Sequence, residues 1–165
     1  MRVQSKQNEH TIGVSTMKIA FGSDDRNCML ETLLDTLQKA GHSILLFGPL
    51  AEQSASWTQV ARAVAESVAQ GQAEEGILIC WTGTGVSIAA NKVPGIRAAL
   101  CADAETARGA RLWNDANVLC LSQRRTSAIM AEEIVSAWLE TKYAPNPEDE
   151  ACLTELQNLE KTYRI

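Results

Sequence analysis

One stretch of the sequence, GILICWTGTGVSIAANKVPGIRAALC from Gly76 to Cys101, gathers residue types that can do chemistry. An apolar run ends on Cys80, a turn containing Thr82, Gly83, Thr84 and Gly85 follows, and a helical stretch then opens. Glycines let a backbone turn sharply and point successive N–H groups at an oxyanion or a phosphate. The partial positive charge of a helix start adds roughly 0.3–1 kcal/mol for an anion held there. A thiol at the mouth of such a nest is stabilised as its thiolate, which would let Cys80 act as a base. The same pattern also describes a buried strand cysteine ahead of an ordinary strand-to-helix turn.

Short apolar runs alternating with helical stretches must position this segment. MKIAFG (17–22) reads as a first strand and SILLFG (43–48) as a second. GILIC (76–80), RAALC (97–101) and NVLCLS (117–122) read as three more. The last three are continuous rather than alternating apolar runs, the mark of strands covered on both faces in a parallel sheet. Helices are expected from Asn27 to Ala40, with Leu30, Leu33, Leu34 and Leu37 on one face, from Trp57 to Gln70, from Thr126 to Leu139 and from about Glu148 to Tyr163. Five strands alternating with helices predict a three-layer, doubly wound α/β fold, Rossmann-like, with a five-stranded parallel sheet in the flavodoxin-like order 2-1-3-4-5. Ligands of such folds bind at the carboxyl ends of the strands. That rule directs attention to Ser23–Asp25, Cys80–Ser87, Asp103 and Ser122–Arg125.

The 165 residues, 45% hydrophobic and 21% charged, suit one globular domain over 17–165 behind a flexible leader over 1–16. A net charge of −5, with no basic stripe beyond Arg124–Arg125, argues against a nucleic-acid surface. No apolar run approaches the roughly 20 residues that span a bilayer, and the leader lacks the apolar core of a signal peptide. Five cysteines without a CxxC pair fit a reducing cytoplasm. Of these, Cys28, Cys101 and Cys120 are assigned to packing, and Cys152 to a surface or an interface.

Cys80-Trp-Thr-Gly-Thr-Gly-Val-Ser-Ile-Ala-Ala-Asn-Lys92 strongly resembles the C-G-T-G-x-G-x-S-I-A-A-N-K signature of type B ribose-5-phosphate isomerases and galactose-6-phosphate isomerase subunits. VPGIRAALC continues the match. Trp113-Asn114-Asp115-Ala116-Asn117-Val118-Leu119 is similar to the family's H-N-D-A-N-V-L, and Ile19-Ala20-Phe21-Gly22-Ser23-Asp24 to its I-A-x-G-x-D. The chain is identified as a divergent member of this family from Met17 to about Tyr143. The resemblance implies aldose–ketose isomerisation through a cis-enediolate, by default between ribose 5-phosphate and ribulose 5-phosphate, with no metal or organic cofactor. It makes Cys80 the base. Thr82 and the N–H groups of Gly83, Thr84 and Gly85 would hold the enediolate, an arrangement worth roughly 2.7–4 kcal/mol per donor. Asp24, Ser87 and Asn114 fall at sugar-binding positions and Arg124 at a phosphate position. It also implies a cytoplasmic homodimer or dimer of dimers, with sites built from two chains, or a pairing with a paralogous subunit.

The departures from the pattern concentrate where ring opening and phosphate binding belong. Asp25 stands where the family has histidine, Trp113 replaces the ring-opening histidine, and Trp81 replaces a glycine. The arginines of the family's G-G-R-H-x-x-R align with Pro147 and Ala151, amid Glu148, Asp149 and Glu150. Neither histidine of the chain, His10 in the leader or His42 before the second strand, falls at a ring-opening position. Lost cations and added acids disfavour a phosphate, while Trp57, Trp81 and Trp113 would either stack on a sugar ring or fill the vacated space. Arg124–Arg125 would either meet a phosphate or begin a solvated helix. The resulting expectation is an isomerase for a sugar phosphate, for an unphosphorylated or open-chain sugar, or a weakly active sugar-binding subunit.

Overall fold

A computed structural model describes residues 16–163, so the leader expected over 1–16 lies outside the described residues apart from Thr16. The strands are β1 (Lys18–Ser23), β2 (Ser43–Phe47), β3 (Glu75–Cys80), β4 (Ala98–Leu100) and β5 (Val118–Ser122). The helices are α1 (Cys28–Lys39), α2 (Trp57–Ala69), α3 (Thr84–Ala90), α4 (Ala104–Asn114), α5 (Ala128–Glu140) and α6 (Pro147–Tyr163). Side-chain caps set several boundaries. Asn27 caps α1 through the Leu30 N–H, Ser56 and Gln59 form a capping box on α2, and Ser127 caps α5 through the Met130 N–H.

All strand pairs are parallel, and the sheet order is β2-β1-β3-β5-β4. The doubly wound α/β class holds, but the expected order 2-1-3-4-5 does not, because β5 inserts between β3 and β4. Burial explains the exchange. Every residue of β5 is buried, as an interior strand requires, whereas β4 has only three residues, with Leu100 exposed. The apolar run RAALC overstated β4: two alanines bury little surface, and a short strand is what a sheet edge tolerates.

The sheet buries both faces. On one, Phe21, Ile77, Ile79, Leu119 and Leu121 pack with Leu30 and Leu33 of α1, Ala107 of α4 and Ile134 and Trp138 of α5. On the other, Leu78, Cys80, Val118 and Cys120 pack with Val60 and Val64 of α2 and Val86 of α3. Gly22 lets α2 lie close, since a Cβ there would stand 2.6 Å from a Val60 methyl. The sequence reading named no helix between β4 and β5. The structure adds α4, whose buried residues are only Ala107, Gly109 and Ala110, too small to signal an apolar stripe. Helix α6 lies outside the layers, touches α4 and has no buried residue. Among the described residues no helix is long and apolar enough to cross a membrane.

Candidate active site

Strand register brings three loops together at the carboxyl end of the sheet. Ser23 stands opposite Ile79, and Cys80 opposite Ser122, so Asp24, Cys80 and Gln123 leave the sheet side by side. The Cys80 carbonyl accepts the Gln123 N–H at 3.0 Å, and the Trp81 carbonyl accepts the Arg124 N–H at 3.0 Å and the Ser122 hydroxyl at 3.0 Å. These bonds lock the Cys80–Trp81 backbone to the start of the β5–α5 loop and carry Arg124 to the same rim. Cys80 is buried, at 6% exposure, with Trp81 exposed beside it. Asp24 is half-buried. Burial, with the charge of Asp25 adding to it, raises its carboxyl above the ordinary carboxylate value, while a backbone hydrogen bond partly offsets the rise. Asp25 is exposed and spends its carboxylate on the Arg26 N–H at 2.7 Å.

The turn after Cys80 depends on its glycines. Gly83 has φ +74°, and a Cβ there would come within 2.5 Å of Leu100 and 2.9 Å of the Leu121 carbonyl. Gly85 faces the indole of Trp57, which a Cβ would meet at 3.1 Å, so Trp57 is a lid on the loop rather than a free platform. The Thr82 and Thr84 hydroxyls stand 2.7 Å apart. The Ser87 hydroxyl turns inward, 3.5 Å from the Ala98 carbonyl. A thiol, two paired hydroxyls and a carboxyl of raised pKa, with an arginine on the same rim, can together move a proton at a carbon acid and hold the resulting oxyanion. Among the described residues no three His, Cys, Asp or Glu side chains cluster as a metal site.

Trp113 and Asn114 do not join this group within one chain. They end α4, which leaves the carboxyl end of β4 and runs back about 16 Å to the amino end of the sheet. There the Asn114 carbonyl accepts from Arg97, the residue preceding β4. The Trp113 ring lies over Gly109 of its own helix and is 57% exposed. The three tryptophans therefore do not converge in a single chain. His42 also sits at the amino end, buried, with Nδ1 accepting the Met17 N–H at 3.2 Å, and His10 lies outside the described residues. Pro147, Glu148, Asp149 and Glu150 form the first turn of α6, capped by Asn146, whose side chain accepts the Asp149 N–H at 2.9 Å. Acids suit that place because they offset the helix dipole.

Sequence reasoning missed several features. Among the described residues, the side-chain amide nitrogen of Gln123, whose backbone N–H meets the Cys80 carbonyl, is buried without a partner. Glu75, at the buried start of β3, pairs with Arg111 at 2.5 Å and accepts the Trp138 indole N–H at 3.1 Å. A charge directly before a buried apolar run was the available signal for Glu75. A cavity of about 830 Å³ opens at the amino end, lined by Leu37, His42, Glu75, Arg111 and Tyr143 among others, and it contains none of the expected site residues. Cys28, assigned to packing, is exposed on the first turn of α1, whereas Cys101 and Cys120 are buried.

Comparison with known proteins gives this geometry its context. The family model described as Ribose/Galactose Isomerase matches residues 19–155. Ribose-5-phosphate isomerase B of Escherichia coli K12 is 39% identical over 127 residues, covering 76% of this chain and 85% of that protein. D-erythrulose-4-phosphate isomerase of Pectobacterium atrosepticum is 38% identical over 130 residues, covering 77% of this chain and 85% of its own length. The solved structure of Clostridium thermocellum ribose-5-phosphate isomerase B superposes with a TM-score of 0.84 at 38% identity, covering 90% of this chain and 100% of that one. The chain belongs to the ribose/galactose isomerase family of sugar-phosphate aldose–ketose isomerases.

Proposed function

We propose that the chain interconverts an aldose phosphate and its ketose through a cis-enediolate, with ribose 5-phosphate and ribulose 5-phosphate as the default pair. The carrying observation is the register that sets Asp24, Cys80 and Arg124 on one rim. Cys80, as thiolate, takes the proton from C2 of the open-chain aldose and returns it to C1, while a proton passes from O2 to O1, so the reaction is balanced without a redox partner. Thr82 and the N–H groups of Gly83, Thr84 and Gly85 stabilise the enediolate oxygens, and Asp24 holds a substrate hydroxyl. Arg124 serves the phosphate, and Trp81 and Asp25 border the entrance.

Trp113 and Asn114 reach such a site only from a second chain, because α4 delivers them to the opposite end of their own sheet. We read the working unit as a homodimer, or a pair with a paralogous subunit, whose site is assembled between two copies. The exposed apolar residues Trp81, Ile88, Leu100 and Trp113, and the unburied α6, supply surface for that contact.

A second reading concerns substrate form. Trp113 occupies the ring-opening position, and His42 is buried at the far end of the sheet. Both favour a substrate that needs no ring opening. A tetrose 4-phosphate is such a molecule, because phosphate occupies the only hydroxyl that could close a five-membered ring. D-erythrulose 4-phosphate, the compound in the name of one relative, has this form. The test is kcat/KM on ribose 5-phosphate, free ribose, galactose 6-phosphate and D-erythrulose 4-phosphate, for the wild type and Cys80→Ser. The isomerase reading expects turnover of at least one sugar phosphate that Cys80→Ser lowers by about three decades or more. Turnover untouched by Cys80→Ser removes Cys80 as the base. A preference for ribose 5-phosphate over the tetrose removes the open-chain reading.

A further inference from the structure

Two guanidiniums grip the turn that carries Asn114. Arg97, with its side chain 23% exposed, places Nε 3.1 Å from the Asn114 carbonyl and 2.7 Å from the Asp115 carbonyl, and Nη2 2.6 Å from the Asp115 carboxylate. Arg111, 12% exposed, donates from Nη1 to the Ala116 carbonyl and from Nε to the Thr141 carbonyl at 3.2 Å. Its remaining nitrogen meets Glu75 at 2.5 Å, and its plane lies over the Trp138 ring, 5.2 Å from the centroid. Three consecutive carbonyls, of residues 114, 115 and 116, are thus claimed by arginine side chains. Asp115 between them holds the left-handed backbone, with φ 44°, that ends α4 and turns the chain into β5. A non-glycine residue in that region costs about 1 kcal/mol or more and persists only where its surroundings over-determine it.

A helix leaves its last four carbonyls without helical partners, and the usual ending satisfies some of them with backbone N–H groups around a glycine rather than with side chains. This turn instead has an αL aspartate, a partly buried ion pair and a largely buried arginine anchored to the first residue of β3. Such reinforcement fixes a position rather than merely ending a helix. The exposed residues it fixes are Trp113 and Asn114, which touch nothing else that the site requires in their own chain. We infer that Arg97 and Arg111 are positioning residues, which hold the Trp113–Asn114 corner rigid so that it enters the partner copy's active site in one orientation. The inference rests on the isomerase reading above, in which Asn114 binds the sugar. Neither arginine touches substrate. Both act through the backbone of the turn.

Arg97→Lys and Arg111→Lys test this while keeping the charge opposite Asp115 and Glu75. Lysine cannot reproduce a fork that reaches two carbonyls and a carboxylate at once. A misplacement of the order of 1 Å at a substrate-contacting group costs up to about 10²-fold. Because Asn114 binds rather than moves protons, KM on the sugar phosphate turned over by the wild type should rise about tenfold, with kcat changed less than threefold. Arg62→Gln, which removes an exposed arginine paired with Glu66 on α2, serves as the control and should leave both constants unchanged. A second readout is independent of activity. In protein labelled with 5-fluorotryptophan, Arg97→Lys should shift or broaden the ¹⁹F resonance of Trp113 and leave those of Trp57 and Trp138 in place. Wild-type KM in both lysine variants, or a Trp113 resonance that does not change, overturns the inference while the isomerase reading stands. Displacement of all four resonances with a large loss of Tm also overturns it, by showing general support of the fold. Absence of any wild-type turnover overturns the isomerase reading and the inference with it.

Discussion

Glu75→Gln isolates a contest between two forces on one carboxyl. Glu75 is 4% exposed at the start of β3, bonded to Arg111 at 2.5 Å and to the Trp138 indole at 3.1 Å. Burial favours the neutral acid, while the guanidinium and the indole favour the carboxylate. Burial prevails, and the carboxyl is pushed up from 4.5 to about 7. The folded protein therefore binds this proton more tightly than the unfolded chain does. Stability from that proton is complete below about pH 4.5 and is lost as pH rises through 7. At about 1.4 kcal/mol per pH unit, the full loss is of the order of 3 kcal/mol. Glutamine mimics the neutral acid and cannot titrate. Wild type and Glu75→Gln should therefore unfold in urea with similar free energies at pH 5, and by pH 8 the wild type should be the weaker by about 2–3 kcal/mol. Measuring the difference at fixed protomer concentration cancels the other titrating groups and any effect of association. A wild type that gains on Glu75→Gln as pH rises from 5 to 8 would show that Arg111 holds Glu75 ionised and that the ion pair outweighs desolvation.

Iodoacetamide followed by peptide mass spectrometry should label the exposed Cys28 and Cys152 first. Cys101, pushed up to about 12 by burial, should lag, as should Cys120, which burial pushes higher still. Substrate should slow labelling at Cys80 alone. Gly83→Ala introduces a methyl at φ +74° against Leu100 and the Leu121 carbonyl, and should abolish turnover while lowering stability by about 1–3 kcal/mol, read by urea unfolding. Trp113→His should restore less than about tenfold in kcat/KM on ribose 5-phosphate. The cost of a missing phosphate-binding arginine, roughly 1.5–3 kcal/mol for each charged hydrogen bond, remains after that change.

Residues whose environment is local were readable from the sequence. Ile77–Cys80 and Val118–Leu121 announce themselves as continuous apolar runs because both faces of an interior parallel strand are covered. The helix starts expected at Asn27, Trp57 and Thr126 fell within two residues of the observed ones, where the side chains of Asn27, Ser56 and Ser127 cap the first turns. The order of β4 and β5 was not readable, because it turns on which of two apolar runs buries more, and the alanines of β4 pass for core in a one-dimensional reading. Helix α4 escaped notice for the same reason. The motif containing Cys80 was plain as sequence, and its neighbours Asp24 and Arg124 followed from the carboxyl-end rule. The direction of Trp113 and Asn114 was not accessible, because it depends on α4 running antiparallel to the strands for its whole length. The acids around Asp149 looked like phosphate repulsion, but they also serve the start of a helix.

Because α4 spans the full height of the sheet, the proposed dimer would have each chain carry the two halves of its site like the two ends of a baton, each end passed to a different copy. Defective variants would then repair one another. A Cys80→Ser chain still offers an intact Asn114 corner, and an Asn114→Ala chain still offers an intact thiol. Co-folded in equal amounts, half of the dimers would be mixed. Each mixed dimer would hold one site with both lesions and one with neither, so about a quarter of the native site count would return from one preparation that lacks its base and one that holds its sugar weakly. Heredity would register the same geometry as complementation between alleles of a single gene.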